Sequence, residues 1–495
     1  GNRGSHGHLA ALQSRSPLIV SGKGVKTAAS GEDWSSECAG TCTPASTSFL
    51  VRDEAAHIVD VAPTIAKAVG VANTTGVGPA GFLADDNYLA WQDGRPLDAI
   101  LDGTTAKYAV IFVNDGLTSM EFLHQAFDGT RDLDAYRELM ARGVTFRGGA
   151  ITNFPSNTYP SHNVLGSGAY SGHHGLVDNS FYEREVLSPF APITELFSTE
   201  KFVGGAHPGL PIETLHEAML RSFGGIWNKT SNPTGILTAS LNDPSTRGAP
   251  LATLERRIPE GYKVPAPMDA LELNGETYTY PEATLLDAEG LLDNSTVTNA
   301  YGLFIANPAK GFPIPRYSII NLSSTDGAGH KAGPHGDEVR ERVLGRTNQR
   351  LRMLIEILKQ AGIFADTIIV LTADHGMELK DPNLQGRLLQ DLPSDIGIVH
   401  EHDFIYLKQL VLTHTPLGAP SPTATVTVTV SDSDGSAPQN LIGGATVIIM
   451  RGTDELTRGT TEVDGTVTLT IDNDGGPLSA TIIKSGFSLE DHIIE

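Results

Sequence analysis

Apolar positions recur along this chain in two rhythms, and the change from one to the other divides it. "KYAVIFVNDG", "RYSIINLSSTDGAGH" and "DTIIVLTADHG" are continuous apolar runs that stop at a polar turn, as strands buried on both faces do. Between the last two, "DEVRERVLGRTNQRLRMLIEILKQAG" sets Val339, Val343, Leu351, Leu354, Ile355 and Leu358 on one helical face and stops at Gly362. Strands alternating with helices over 102–415 predict an α/β fold with a mainly parallel sheet flanked by helices. Residues 1–101 add an apolar run at Pro17–Ser21 and a helical stretch, "VDVAPTIAKAVGV". Such a strand is not stable alone, so burial in a sheet is its expected fate. After the Pro-rich "THTPLGAPSP" the rhythm becomes strict alternation: "TATVTVTVSDSDG", "GATVIIMRG", "GTVTLTIDNDG" and "SATIIKSGF". Short alternating strands between Asp-Gly turns predict a β-sandwich over 423–495, joined by a linker at 416–422.

Composition narrows the class. The 495 residues suffice for two or three domains, with 40% hydrophobic and 19% charged residues, which excludes wholesale disorder. A net charge of −23 argues against a nucleic-acid polymer as partner, because phosphate-backbone binding needs clustered Lys and Arg. No run of about eighteen apolar residues is present, so no membrane span is expected. The chain does not begin with Met, which suggests a processed or excised product. Cys38 and Cys42 are spaced to close a small disulfide loop, which would suit an oxidising compartment; two free thiols are the alternative.

The candidate chemistry sits where strands end. "VNDG" supplies Asp115, "STDGAGH" supplies Asp326 and His330, and "TADHG" supplies Asp374 and His375. In open α/β sheets ligands collect at the carboxyl ends of strands, so these groups can converge. Each alone is an ordinary turn-capping Asp or a satisfied His. Three strand ends with the same chemistry point to a divalent cation such as zinc. "NFPSNTYPSHNVLG" places Thr158 two residues before Pro160, near a helix N-terminus where backbone N–H groups favour phosphate. A Thr there is commonly an N-cap; beside a metal ion it can instead become an alkoxide nucleophile.

The order of Asp115, "NTYPSHN", "HHGLVDNSFY", "DGAGHKAGP" and "ADHGM" resembles the alkaline phosphatase superfamily, most closely its nucleotide pyrophosphatase/phosphodiesterase (type I phosphodiesterase) family. That family carries a Thr nucleophile in a T-x-P-x-H setting and an oxyanion-stabilising Asn twenty-one residues later, the spacing of Thr158 and Asn179. The resemblance implies a phosphoric ester hydrolase with two divalent metal ions, zinc by preference. One would be held by Asp115, Thr158, Asp374 and His375, and the other by Asp326, His330 and one further His. A phosphonate hydrolase or phosphomonoesterase of the same superfamily is the alternative, as is a secreted surface or filament scaffold retaining a vestigial enzyme fold. A sulfatase is excluded, because "CTPAS" lacks the Arg of C-x-P-x-R.

The third His is not where the resemblance places it, since "ADHGM" is not followed by G-S-H-G. "GSHGHLAALQSRSPLIVSGKGV" and "VDVAPTIAKAVGV" look instead like the closing section of such a domain, here at 1–101. The expectation is that 1–101 packs on 102–415 and that His6 completes the second metal site, with His8, His400, His402 and His414 as the other candidates. Either a circular permutation or excision from a longer tandem protein would give this order. Residues 181–310 are expected to form a substrate-selecting insertion. The C-terminal piece resembles carboxypeptidase-regulatory-like and bacterial immunoglobulin-like modules. The protein is therefore expected to be secreted, periplasmic or at the cell surface, acting on a small phosphate ester, with the sandwich available for surface attachment or self-association.

Overall fold

The apolar runs become the interior of one nine-stranded sheet in a computed structural model of the chain. Residues 4–7, 11–28, 50–74, 87–119, 122, 126, 132–179, 181–182, 192–193, 212–380, 398–401, 404–407, 409–433, 440–484, 487 and 490–494 are described. In chain order the strands are β1 (Arg15–Gly22), β2 (Leu50–Arg52), β3 (Ala56–His57), β4 (Tyr108–Asn114), β5 (Gly143–Ile151), β6 (Thr238–Leu241), β7 (Leu251–Ala252), β8 (Tyr317–Leu322) and β9 (Thr367–Thr372). They lie in the order β7-β6-β8-β4-β9-β1-β5-β2, with β3 also on β5. All pairings are parallel except those of β1, which runs antiparallel to both β9 and β5.

Side chains alternate across each strand, so the sheet feeds two apolar layers. Val110, Phe112, Ile320, Leu322, Ile369 and Leu371 join one cluster with the helix Leu344–Gln360. Ile111, Val113, Ile319, Ile368 and Val370 join the other with the helix Val61–Val69. The latter is the "VDVAPTIAKAV" stretch, and Gly70 ends it at φ 77°. Val339, Val343, Leu351, Leu354, Ile355 and Leu358 are all buried, as their helical spacing requires.

The chain divides into two compact units: 1–179 with 196–381, and 180–195 with 382–495. Two expectations change here. Residues 181–310 are not wholly an insertion, because β6 and β7 extend the main sheet. "TASL" escapes an apolar-run criterion because its buried Thr238 and Ser240 are polar. The boundary also lies earlier than 415. Gln409–His414 (β10) pairs antiparallel with Ser421–Ser433 (β11), so the Pro-rich stretch at 416–422 is the connection of a hairpin and not a linker between domains.

The remaining strands of that second unit are β12 (Thr446–Arg451), β13 (Asp454–Thr460), β14 (Thr466–Asn473), β15 (Leu478–Ile483) and β16 (Glu490–Ile494). They form antiparallel sheets β10-β11-β14 and β13-β12-β15-β16. Val426, Val428 and Val430 of one sheet and Val447, Ile449 and Ile482 of the other share one apolar cluster, the arrangement of a β-sandwich. Cys38, Cys42, His8 and His402 lie outside the described residues, and of His400 only its backbone strand Ile398–Glu401 is described. No helix among the described residues is long and apolar enough to cross a membrane.

Candidate active site

Parallel register brings the chemistry to one edge of the sheet. Leu322 pairs with Asn114 and Thr372 with Val113, so the segments carrying Asp115 and Asp374 and the helix Ser324–Ala332 carrying Asp326 leave side by side. Gly116 (φ 69°) is required there, because a Cβ would lie 2.8 Å from the Asp326 backbone. Since β1 is antiparallel, its amino end lies at this same edge, and the residues ahead of it arrive among the strand ends. Gly4–Ser5 pairs with Glu378–Leu379, and the Gly7 N–H donates to Ser156 Oγ at 3.2 Å. Gly376 admits the backbone of Leu12, whose oxygen would be 1.9 Å from an added Cβ. His6 is held between these contacts.

Two groups of ligating atoms result. In the first, His375 Nε2 lies 3.1 Å from Asp374 Oδ2 and 3.7 Å from Asp115 Oδ1. Thr158 Oγ1 is 3.3 Å from the same nitrogen. His375 Nδ1 donates to the Gly376 carbonyl at 2.9 Å, so Nε2 is the nitrogen left to accept. In the second, His6 Nε2 lies 3.1 Å from His330 Nε2 and 3.7 Å from Asp326 Oδ1, and His330 Nε2 lies 3.5 Å from that oxygen. The rings of His6 and His375 stack at 3.8 Å, so the groups adjoin. All eight residues expected from the sequence are therefore within one site, except that Asn179 reaches it through Tyr159, whose N–H donates to Asn179 Oδ1 at 2.9 Å. His414 lies in β10 of the other unit, with Nδ1 donating to the Thr415 carbonyl.

Thr158 is the first residue of the helix Thr158–Ser167, with Asn157 at its N-cap position. Asn157 caps nothing; its side chain turns to His6 and Asp178.

His162 lies in "NTYPSHN", four residues after Thr158. One turn after Thr158, it is fully buried, with Nε2 3.5 Å from Asp374 and 3.7 Å from Asp115. Its Nδ1 donates to Asp243 Oδ2 at 2.6 Å. Asp243 follows β6 in "TASLNDPS", one more strand end carrying an acid, on a strand whose alternate positions are polar.

The electrostatics favour a cation. Burial opposes ionisation of Asp326 and Asp374, and the Asp115 charge beside each adds to it, so both carboxyls are pushed well above their usual range. Burial and the neighbouring His6 together hold His375 well below the usual imidazole value. Asp115 Oδ1, Asp374 Oδ2, Asp326 Oδ1 and His162 Nε2 are buried without a hydrogen-bond partner. Buried acceptors without donors are costly, and divalent ions are what Asp and His in this geometry accommodate. Asp115, His162 and Asp374 have ligating atoms within 4.8 Å of one another, as do His6, Asp326 and His330.

The model of one protein family, "Type I phosphodiesterase / nucleotide pyrophosphatase", matches residues 109–414. The chain belongs to that family. The match begins beyond His6, so family membership rests on Asp115 onwards. Members of this family use divalent metals. Among curated relatives, rat ectonucleotide pyrophosphatase/phosphodiesterase family member 1 is 24% identical over 226 residues, 46% of this chain and 19% of that protein. Venom phosphodiesterase 2 of Crotalus adamanteus is 22% identical over 225 residues, again 46% of this chain and 22% of the relative. The chain thus spans about a fifth of the length of the curated relatives it matches. Murine ectonucleotide pyrophosphatase/phosphodiesterase 5 is a structural neighbour at 14% identity and TM-score 0.40, covering 78% of this chain and 84% of that one.

Proposed function

We propose that this phosphodiesterase-family enzyme hydrolyses phosphoric diesters with Thr158 as nucleophile and two zinc ions as cofactors. The observation that carries the reading is the placement of Thr158 Oγ1 3.3 Å from His375 between two adjoining Asp/His groups whose inward oxygens lack partners. Asp115, Thr158, Asp374 and His375 would hold one ion, and His6, Asp326 and His330 the other. Bound there, the ions would supply the positive charge that favours an ionised Thr158 and offsets the charge of the transferring phosphoryl group.

Thr158 Oγ1 forms the new P–O bond while the bond to the leaving alcohol breaks on the opposite side. The Thr158 proton passes to solvent and the departing alkoxide takes one up; water then attacks the phosphorus of the threonyl ester, which still carries the second alcohol, returning the Thr158 hydroxyl and releasing a phosphate monoester. The helix starts at Thr158, so the positive end of its dipole lies at the reacting oxygen. Asn179 has its carbonyl engaged by the Tyr159 N–H, which leaves its amide hydrogens to donate to the phosphoryl oxygen as charge builds. The Asp243–His162 pair steadies Asp115 and Asp374 from behind.

The names of the relatives, ecto-enzymes and venom phosphodiesterases, support a secreted or cell-surface location and a small phosphate ester substrate. The alternating strands of the C-terminal sandwich support an appended immunoglobulin-like or carboxypeptidase-regulatory-like module for surface attachment or self-association. Zinc content of the purified protein, with rates on bis-p-nitrophenyl phosphate, p-nitrophenyl phosphate and a phosphonate monoester, tests the assignment. About two zinc ions and a preference for the diester are expected. Preference for the monoester or phosphonate would move the substrate class, and no zinc with no hydrolysis would leave a scaffold.

A further inference from the structure

We propose that Asp178 is a positioning residue that sets, through Asn157, which nitrogen of His6 faces the second ligand group. The inference rests on the two-metal reading above and extends it to a residue that touches neither cation nor substrate. Asp178 is fully buried, and its carboxylate can only accept. Its Oδ1 takes a hydrogen bond from Asn157 Nδ2 at 2.5 Å and another from the Asn179 backbone N–H at 2.7 Å. The first bond fixes the direction of the Asn157 amide. With Nδ2 turned to Asp178, Oδ1 is left facing His6 Nδ1 at 3.0 Å. The Ser156 carbonyl, 3.1 Å from the same nitrogen, also only accepts. Two acceptors on one nitrogen place the proton on Nδ1. The lone pair is therefore on Nε2, the atom that meets His330 and Asp326.

An Asn157 amide turned the other way would set N–H against N–H. The ring would then gain by moving its proton to Nε2, where it could not bind a cation. Asp178 also links this choice to Asn179, so one buried carboxylate aligns the last ligand, the residue before Thr158 and the amide proposed to meet the phosphoryl group.

The test uses the full chain and zinc alone, titrated against a chromophoric chelator. Asp178→Leu, which removes the acceptor, is expected to keep the first zinc and bind the second about 10–100-fold more weakly. The double variant Asn157→Asp/Asp178→Asn exchanges donor and acceptor and again leaves an acceptor facing His6, so second-zinc affinity should return toward the wild-type value. In the ion-free protein, imidazole 15N shifts should report Nδ1–H for His6 in the wild type and the double variant, and Nε2–H gaining population in Asp178→Leu. Wild-type zinc affinity at both groups in the single variant would overturn the inference, as would a double variant no better than the single or an unchanged tautomer. Wild-type protein that takes up no zinc would instead overturn the metal reading, while the tautomer measurement still decides the role of Asp178.

Discussion

Asp115, Asp374, His375 and His162 have side-chain exposures of 7, 0, 0 and 0%, whereas His6, Asp326 and His330 retain 11, 21 and 28%. The first set is fixed by adjoining parallel strands and by the helix that Thr158 begins. The second draws on one helix, Ser324–Ala332, and on a segment more than three hundred positions away along the chain. Buried like charges make the first group the more demanding of a cation and the slower to release one. The second group meets solvent, and its third member depends on a two-residue strand pairing. A site of this kind has a pre-set, inner half beside Thr158 and an outer half, His6 with Asp326 and His330, assembled by long-range packing.

The sharpest way to break this comparison is Thr158→Ala. Diester hydrolysis should fall at least about a thousandfold, while the outer cation stays bound. Loss of both cations would show that the halves do not act separately. Next, His6→Ala should weaken the outer cation about a hundredfold or more and leave the inner one in place, measured by zinc titration. Chelator challenge of the wild type should release zinc in two phases, the outer group emptying first by about tenfold in rate; a single phase would erase the distinction. Asp243→Asn, which leaves His162 without its carboxylate, should weaken the inner cation about tenfold and spare the outer one.

One further effect bears on stability and not on the ions. Burial holds His174 and His216 at about 3, against an ordinary value of 6.5. Below pH 6.5 the unfolded chain takes up protons that the folded protein refuses, so stability present above that pH is lost as pH falls toward about 3. Each group adds up to about 1.4 kcal/mol per pH unit in that window. Thermal melts of ion-free His216→Gln should show a shallower loss below pH 6.5 than the wild type, and an equal slope would exclude His216 as a source.

Much of the inner half was legible because its signals are local. A buried strand ending in Asp must present that Asp at the sheet edge, and "VNDG" and "TADHG" each state this within a few residues, as "STDG" does for Asp326 of the outer half. Asp243 follows the same rule and was missed only because Thr238 and Ser240 make β6 look polar. The prolines at 416–422 misled for a related reason: they mark a turn, and a turn inside a hairpin is indistinguishable in sequence from one between domains. His162 stood inside a quoted motif, but its work depends on Asp243, a partner eighty-one positions away.

Sequence alone determined the alternation of strands and helices, the acids at the strand ends and a hydroxyl at a helix start, because periodicity and turn chemistry act over a few residues. Tertiary structure decided that β1 enters antiparallel, and with that the arrival of His6 beside Asp326 and His330. It also decided the bonds that Asp243 accepts from His162 and Asp178 accepts from Asn157, partners that meet only in space. Such choices depend on which backbones pack together, and no local pattern records that.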